Sequence, residues 1–249
     1  MAIEDYTTYA EDDPNSRITV ATNKIDFAAL TRGENAQVTK DKGANHFAGD
    51  FEHLVDLYIS AHATIAQAAL WALWNAVGSI EECLGGNGIY VHFFEAVTNT
   101  YCLRMTERYG GVTYNSSDYV TSLSTAYYLT IKRASTTLTC KIYSDAARTN
   151  LLGTLTLTLH STEQYQYVYA LQSRGTLTGS ITGYVENLDL QEAAGVAYSK
   201  TIAEKIGFVD SHSKVQHHKK TVSEKMGFVD EHDKDKCKKC KPSSVILTF

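Results

Sequence analysis

No apolar run in this 249-residue chain approaches the roughly 18 residues that a membrane span needs, so the membrane is set aside as a partner. The N-terminus, MAIEDYTTYAEDDPNS, is acidic and has no apolar stretch of the kind a secretory signal carries, so no signal peptide is expected. There is also no basic excess. The formal charge is −5, and nothing strongly basic occurs before residue 190, which sets nucleic acid aside as well. Cysteine is scarce and odd in number, at five, and its spacing suggests no disulfide framework. Cys140 alternates with apolar residues, while Cys83 and Cys102 stand alone; all three read as buried free thiols.

What is present is strand. Apolar residues make up 43% of the chain and charged residues 20%, the balance of a folded protein, and sixteen tyrosines favour β structure. Leu155, Leu157 and Leu159 alternate with Thr154, Thr156, Thr158 and His160, which gives one buried face and one wet face. Leu129 and Ile131, then Leu138, Cys140 and Ile142, then Val168 and Ala170 follow the same period. Strands are expected near 17–30, 51–60, 70–78, 88–96, 100–108, 127–133, 137–144, 153–160, 164–173 and 181–190, with turns at the glycine clusters. Segment 61–70 fits a short helix or a loop. The fold class is all-β, a two-sheet antiparallel jelly-roll sandwich over 17–191, preceded by a loose arm at 1–16.

Residues 192–249 differ in composition. TIAEKIGFVDSHSK at 201–214 recurs as TVSEKMGFVDEHDK at 221–234, identical at nine of fourteen positions. Ile202, Ile206 and Val209, like Val222, Met226 and Val229, have helical spacing. Two short polar units cannot build a core of their own, so a helical or irregular assembly tail is expected. It would dock through Ile202, Ile206, Phe208, Val222, Met226, Phe228 and the terminal Phe249, and make the protein a homo-oligomer. Cys237 and Cys240 are half a zinc site to which His232 could add a ligand; the alternative is two free thiols in a solvated tail.

The phrases YYLTI, KIYSD and GYVENLDL, within DPNSRITV through TGYVENLDL, resemble the concanavalin A-like lectin/glucanase superfamily. The stretch 13–191 is most similar to laminin-G-like domains that recur in phage and viral structural proteins, and the EKxGFVD repeats resemble those that follow such domains. The resemblance implies a two-sheet jelly roll and a virion or extracellular surface location. Hydrolases of that superfamily carry Glu-x-Asp-x-x-Glu on one strand, and the motif is absent here. Glu52 and Asp56 share a strand face at roughly 13 Å, too far for a retaining carboxylate pair, while Glu186 and Asp189 fall on opposite faces by strict alternation. The chain is therefore expected to be non-enzymatic.

Sugar binding asks less, namely an aromatic platform with a few polar groups. Tyr90, His92 and Phe94, with Tyr128, Tyr143, Tyr165, Tyr167 and Tyr169, would line a groove if their strands shared one concave sheet; the rival reading is that tyrosines simply favour strands. Trp71 and Trp74, three apart, point to opposite faces, one of them to the core. The laminin-G resemblance raises calcium, for which Asp118, Asp145 and Asn150 offer oxygens in turns. The functional expectation is a self-assembling virion component of capsid, decoration or fibre type. The alternative is a lectin-like module that attaches to a glycan.

Overall fold

A strand with one apolar face is stable only when that face meets another sheet. Among the described residues this is met by strands, with one short 3-10 helix at Tyr6–Thr8. The structure, a computed structural model, describes residues 3–191 apart from 32, 64, 79–85 and 175–178. The expectations for Cys83 and for the tail, including its repeats, metal ligands and assembly residues, lie outside the described residues.

In chain order the strands are β1 (Ala10–Asp12), β2 (Ile18–Val20), β3 (Lys24–Thr31), β4 (Gln37–Asp41), β5 (Phe51–His62), β6 (Gln67–Trp74), β7 (Gly88–Val97), β8 (Thr100–Tyr109), β9 (Val112–Asn115), β10 (Tyr119–Thr121), β11 (Thr125–Ala134), β12 (Thr137–Tyr143), β13 (Leu151–Thr158), β14 (Tyr167–Ser173) and β15 (Ser180–Asp189). One sheet has seven strands in the order β13-β12-β11-β5-β15-β3-β2. The other has eight, β1-β4-β14-β6-β7-β8-β10, with β9 on β8. Every strand pairing is antiparallel, and neighbours distant in sequence, such as β5 with β15 and β4 with β14, make the jelly roll. No helix among the described residues is long and apolar enough to cross a membrane.

The alternation holds. Leu129, Ile131, Leu138, Cys140, Ile142, Leu155, Leu157 and Leu159 are all buried between the sheets. Trp71 joins this core and Trp74 takes the opposite face, as their spacing requires. Segment 61–70 is neither helix nor mere loop: β5 runs on to His62 and β6 starts at Gln67. The expected loose arm is packed over its described residues, 3–16. Tyr6 is fully buried and its hydroxyl accepts the Leu188 N–H, while β1 adds to β4 and Ile3 bridges to Asp189. Aromatic burial on that scale outweighs the arm's acidic composition.

Arg133 lies inside the sandwich, where carbonyl groups rather than an ion-paired carboxylate receive its donors among the described residues. It donates to the carbonyls of Phe47, Gly49 and Glu163 and sits over the Phe51 and Tyr165 rings. A buried guanidinium is tolerable only with its donors satisfied, so it ties the 43–50 and 160–166 segments to β11.

Candidate functional site

The tyrosines expected to share one groove lie on two different sheets. Tyr90, His92, Phe94, Tyr167 and Tyr169 do face away from the core, but on the eight-stranded sheet. Tyr128 and Tyr143 are cross-strand partners on the seven-stranded sheet. Tyr165 belongs to neither face: it precedes β14, bridges to Phe47, and is buried in the core against Arg133.

On the eight-stranded sheet the aromatic cluster is covered. Trp74, Tyr90 and Tyr169 are at most 1% exposed. The Tyr169 hydroxyl donates to the Ala76 and Gly78 carbonyls and accepts the Gly78 N–H, so the chain after β6 folds over the rings. Arg174 lies over Tyr90 and bonds His92 Nδ1 at 3.1 Å, and Arg104 lies over Phe94 while gripping Asp118 through both oxygens. Only Tyr167 is half-buried rather than buried. This face is a second small core.

The outer face of the seven-stranded sheet is open. Register places its side chains in two successive rungs. Tyr143, Tyr128, Asp56, Glu186 and Lys24 follow one another across β12, β11, β5, β15 and β3. The next rung carries Ala126, Tyr58, Tyr184, Asp26 and Thr19 across β11, β5, β15, β3 and β2. Direct cross-strand partners bring such side chains within contact. Tyr58 and Tyr184 stack at 5.1 Å between centroids and 16° between planes, and Lys24 Nζ lies 4.2 Å from the Tyr184 centroid. Beside the pair is a groove of about 320 Å³ lined by Arg17, Thr19, Asp26, Ser60, Thr182 and Gly183. All four tyrosines are half-buried, with ring area left to solvent.

Two irregularities shape this face. A bulge in β3, where Ala28 and Ala29 stand opposite Thr182, brings the Thr182 hydroxyl to accept the Ala29 N–H at 2.9 Å. Gly183 lies so close to β5 that a Cβ would sit 2.1 Å from the Tyr58 carbonyl oxygen, so only glycine fits. The second bulge, at Asn187 with φ +56°, corrects the expected placement of the acids. Glu186 pairs with Asp56 and Asp189 with Leu54, two positions apart on β5, so Glu186 and Asp189 share a face instead of opposing one another.

Asp56 accepts from Arg148 Nη2 at 2.6 Å and from Asn187 Nδ2 at 3.0 Å. Burial nevertheless pushes its carboxyl pKa up against those contacts. Glu186 is also raised, first by burial and then by the Asp56 charge. A second hollow, about 470 Å³, is lined by Asn45, Asn75, Ser161, Glu163, Gln164 and Gln166, and its lining includes no aromatic ring.

The expected calcium oxygens are not brought together. Asp118 is taken by Arg104, and Asp145 accepts the Thr149 and Asn150 N–H groups, which hold its pKa down. Asn150 donates to Ser144 Oγ. Among the described residues no group of three or more His, Cys, Asp or Glu side chains is placed to hold a metal. Sequence reasoning missed Tyr58, Tyr184, Arg17, Asp26 and the Asp56–Glu186 pair. Arg17 directly precedes β2 and the others lie at outward positions of their strands, but nothing local says that β5 and β15 are neighbours.

No protein-family model and no curated protein sequence matches this chain. Among solved structures, it is similar to a functionally unknown protein from Saccharomyces cerevisiae, with a TM-score of 0.51 and 8% identity over 74% of this chain and 96% of that one. It is also similar to the VIP36 exoplasmic/lumenal domain in its Ca2+/Man2-bound form, with a TM-score of 0.50 and 10% identity over 74% and 86% of the two chains. The CBM2 module of the evolved Dit of Lactobacillus casei BL23 phage J-1 matches with a TM-score of 0.45 and 11% identity over 72% and 81%. The first two likenesses show the fold alone, a two-sheet antiparallel β-sandwich.

Proposed function

We propose that the chain is a non-enzymatic, carbohydrate-binding attachment module that holds a glycan on the outer face of the seven-stranded sheet. The observation that carries this is the stacked, half-buried Tyr58–Tyr184 pair walling the groove lined by Arg17, Asp26, Ser60 and Thr182. Aromatic rings offer the flat apolar surface that a sugar's C–H face covers, and the surrounding side chains offer donors and acceptors for its hydroxyls. The VIP36 domain, solved with Man2, has the same fold and supports the choice of ligand class. The covered cluster around Trp74 and Tyr90 offers no such surface.

Tyr184→Ala and Tyr58→Ala are expected to abolish wild-type signal on a glycan array while leaving a folded sandwich by circular dichroism. Tyr169→Ala should lower the melting temperature and is the control for the covered face. A wild type silent on the array, or a Tyr58→Ala, Tyr184→Ala double variant that binds as the wild type does, would sink the reading.

One observation favours an alternative, a glycosidase. Asp56 and Glu186 are direct cross-strand partners, and both carboxyls are held above the usual range. New reducing ends released from a bound glycan, lost in Glu186→Gln, would establish it. For the setting we keep a virion-type particle in which the module serves as a capsid, decoration or fibre part and residues 192–249 assemble copies. That setting is supported by the resemblance of residues 13–191 to phage structural domains, and electron microscopy of the purified full chain tests it.

A further inference from the structure

The ends of a sheet leave backbone donors and acceptors without partners, and proteins blunt them with short strands, charge or proline. Three of the four sheet ends here follow that rule: β1, β2 and β10 have three residues each, and β1 carries Glu11 and Asp12. The fourth does not. β13 runs for eight residues, LLGTLTLT, with no charge and no proline. Its inner neighbour is β12, with Thr158 opposite Thr137 and Leu155 opposite Cys140. The Leu159 N–H donates to the Thr136 carbonyl at 2.7 Å. Alternation then turns the odd-numbered residues toward β12, and the N–H and C=O groups of Thr154, Thr156 and Thr158 outward. At the start of the strand Leu151 is 50% and Leu152 42% exposed, and Val120 on the adjacent β10 is 62% exposed.

We propose that β13 pairs antiparallel with β13 of a second copy about a two-fold axis at Thr156, joining two seven-stranded sheets into one. Thr154 then lies opposite the partner's Thr158, and Leu155 opposite the partner's Leu157. The occupant is a second copy because self-pairing sets each residue against one from the same strand. A single charge near the axis would meet its like, and β13 has none. Threonine faces threonine on the outer side, and on the inner side Leu155 and Leu157 carry the core across the join. The outward groups meet a complementary row by symmetry alone.

The test uses the full chain. Light scattering should give the wild type an even multiple of the 27.5 kDa chain, whatever contacts residues 192–249 add, and Thr156→Pro half the wild-type mass, since the proline deletes an outward donor and leaves the β12 bonds in place. Thr156→Lys, which sets like charges across the axis, is the second variant should the proline fail to fold. A hydrogen-bonded antiparallel pair holds Cα atoms about 5.5 Å apart, within disulfide reach. Thr156→Cys should therefore oxidise to a covalent dimer beyond the wild-type background, and Thr154→Cys should not, since its counterpart is Thr158. A monomeric wild type, whether the edge is open or filled by the chain's own terminus, overturns the proposal. So does wild-type mass retained by both folded edge variants, or cross-linking as strong at 154 as at 156.

Discussion

Acidification from pH 6.5 to pH 4 is expected to cost this fold about 3 kcal/mol through His53 alone. His53 lies on the inner face of β5, 1% exposed, among the rings of Phe47, Phe51 and Trp71. Its Nδ1 accepts the Trp71 indole N–H at 3.2 Å, which places the imidazole proton on Nε2 in the neutral ring. Burial, assisted by the positive charges of Lys42, His46 and Arg133, lowers its pKa from the ordinary 6.5 to about 3. Between those values the unfolded chain takes a proton that the folded chain refuses. Stability is therefore complete above pH 6.5, falls by up to about 1.4 kcal/mol per pH unit below it, and levels off near pH 3. His53→Gln keeps an acceptor for Trp71 and cannot titrate. Urea unfolding of both proteins at pH 6.5, 5 and 4 isolates the effect, because every other histidine and carboxylate is common to the two. The wild type should lose about 3 kcal/mol more than the variant over that range. Parallel stability curves for the two proteins would refute the reasoning.

Two further outcomes follow from backbone contacts. Gly183→Ala drives a methyl into the Tyr58 carbonyl, and neither strand can yield without parting β5 from β15; a loss on the order of 1–3 kcal/mol is expected by thermal unfolding, together with weakened glycan binding. Arg133→Met leaves the Phe47, Gly49 and Glu163 carbonyls without their donor, and should cost about 3 kcal/mol or more by urea unfolding and speed proteolysis within 43–50 and 160–166.

Strand alternation is a local property, and it was legible. The parity of Leu129 through Leu159 predicts their burial because side chains two apart must share a face, and the parity of Tyr90, His92 and Phe94 likewise places them off the core. Trp71 and Trp74 divide between faces for the same reason. Which sheet a face belongs to is not local. Tyr128 and Tyr167 occupy similar alternating tyrosine-rich strands, yet β11 pairs with β5 while β14 inserts between β4 and β6. The covering of Tyr90 and Tyr169 depends on a chain reversal after β6, which no periodicity encodes. Asn187 shows the limit within a single strand: one left-handed residue resets parity, so Glu186 and Asp189 share a face that counting assigns to two. The sequence by itself determined which side chains point together along each strand, since that follows from a period of two. Only the tertiary structure decided that Tyr58 meets Tyr184 and Asp56 meets Glu186. Cross-strand contact is set by which strands become neighbours when two sheets close over one core, and that choice depends on the whole chain at once.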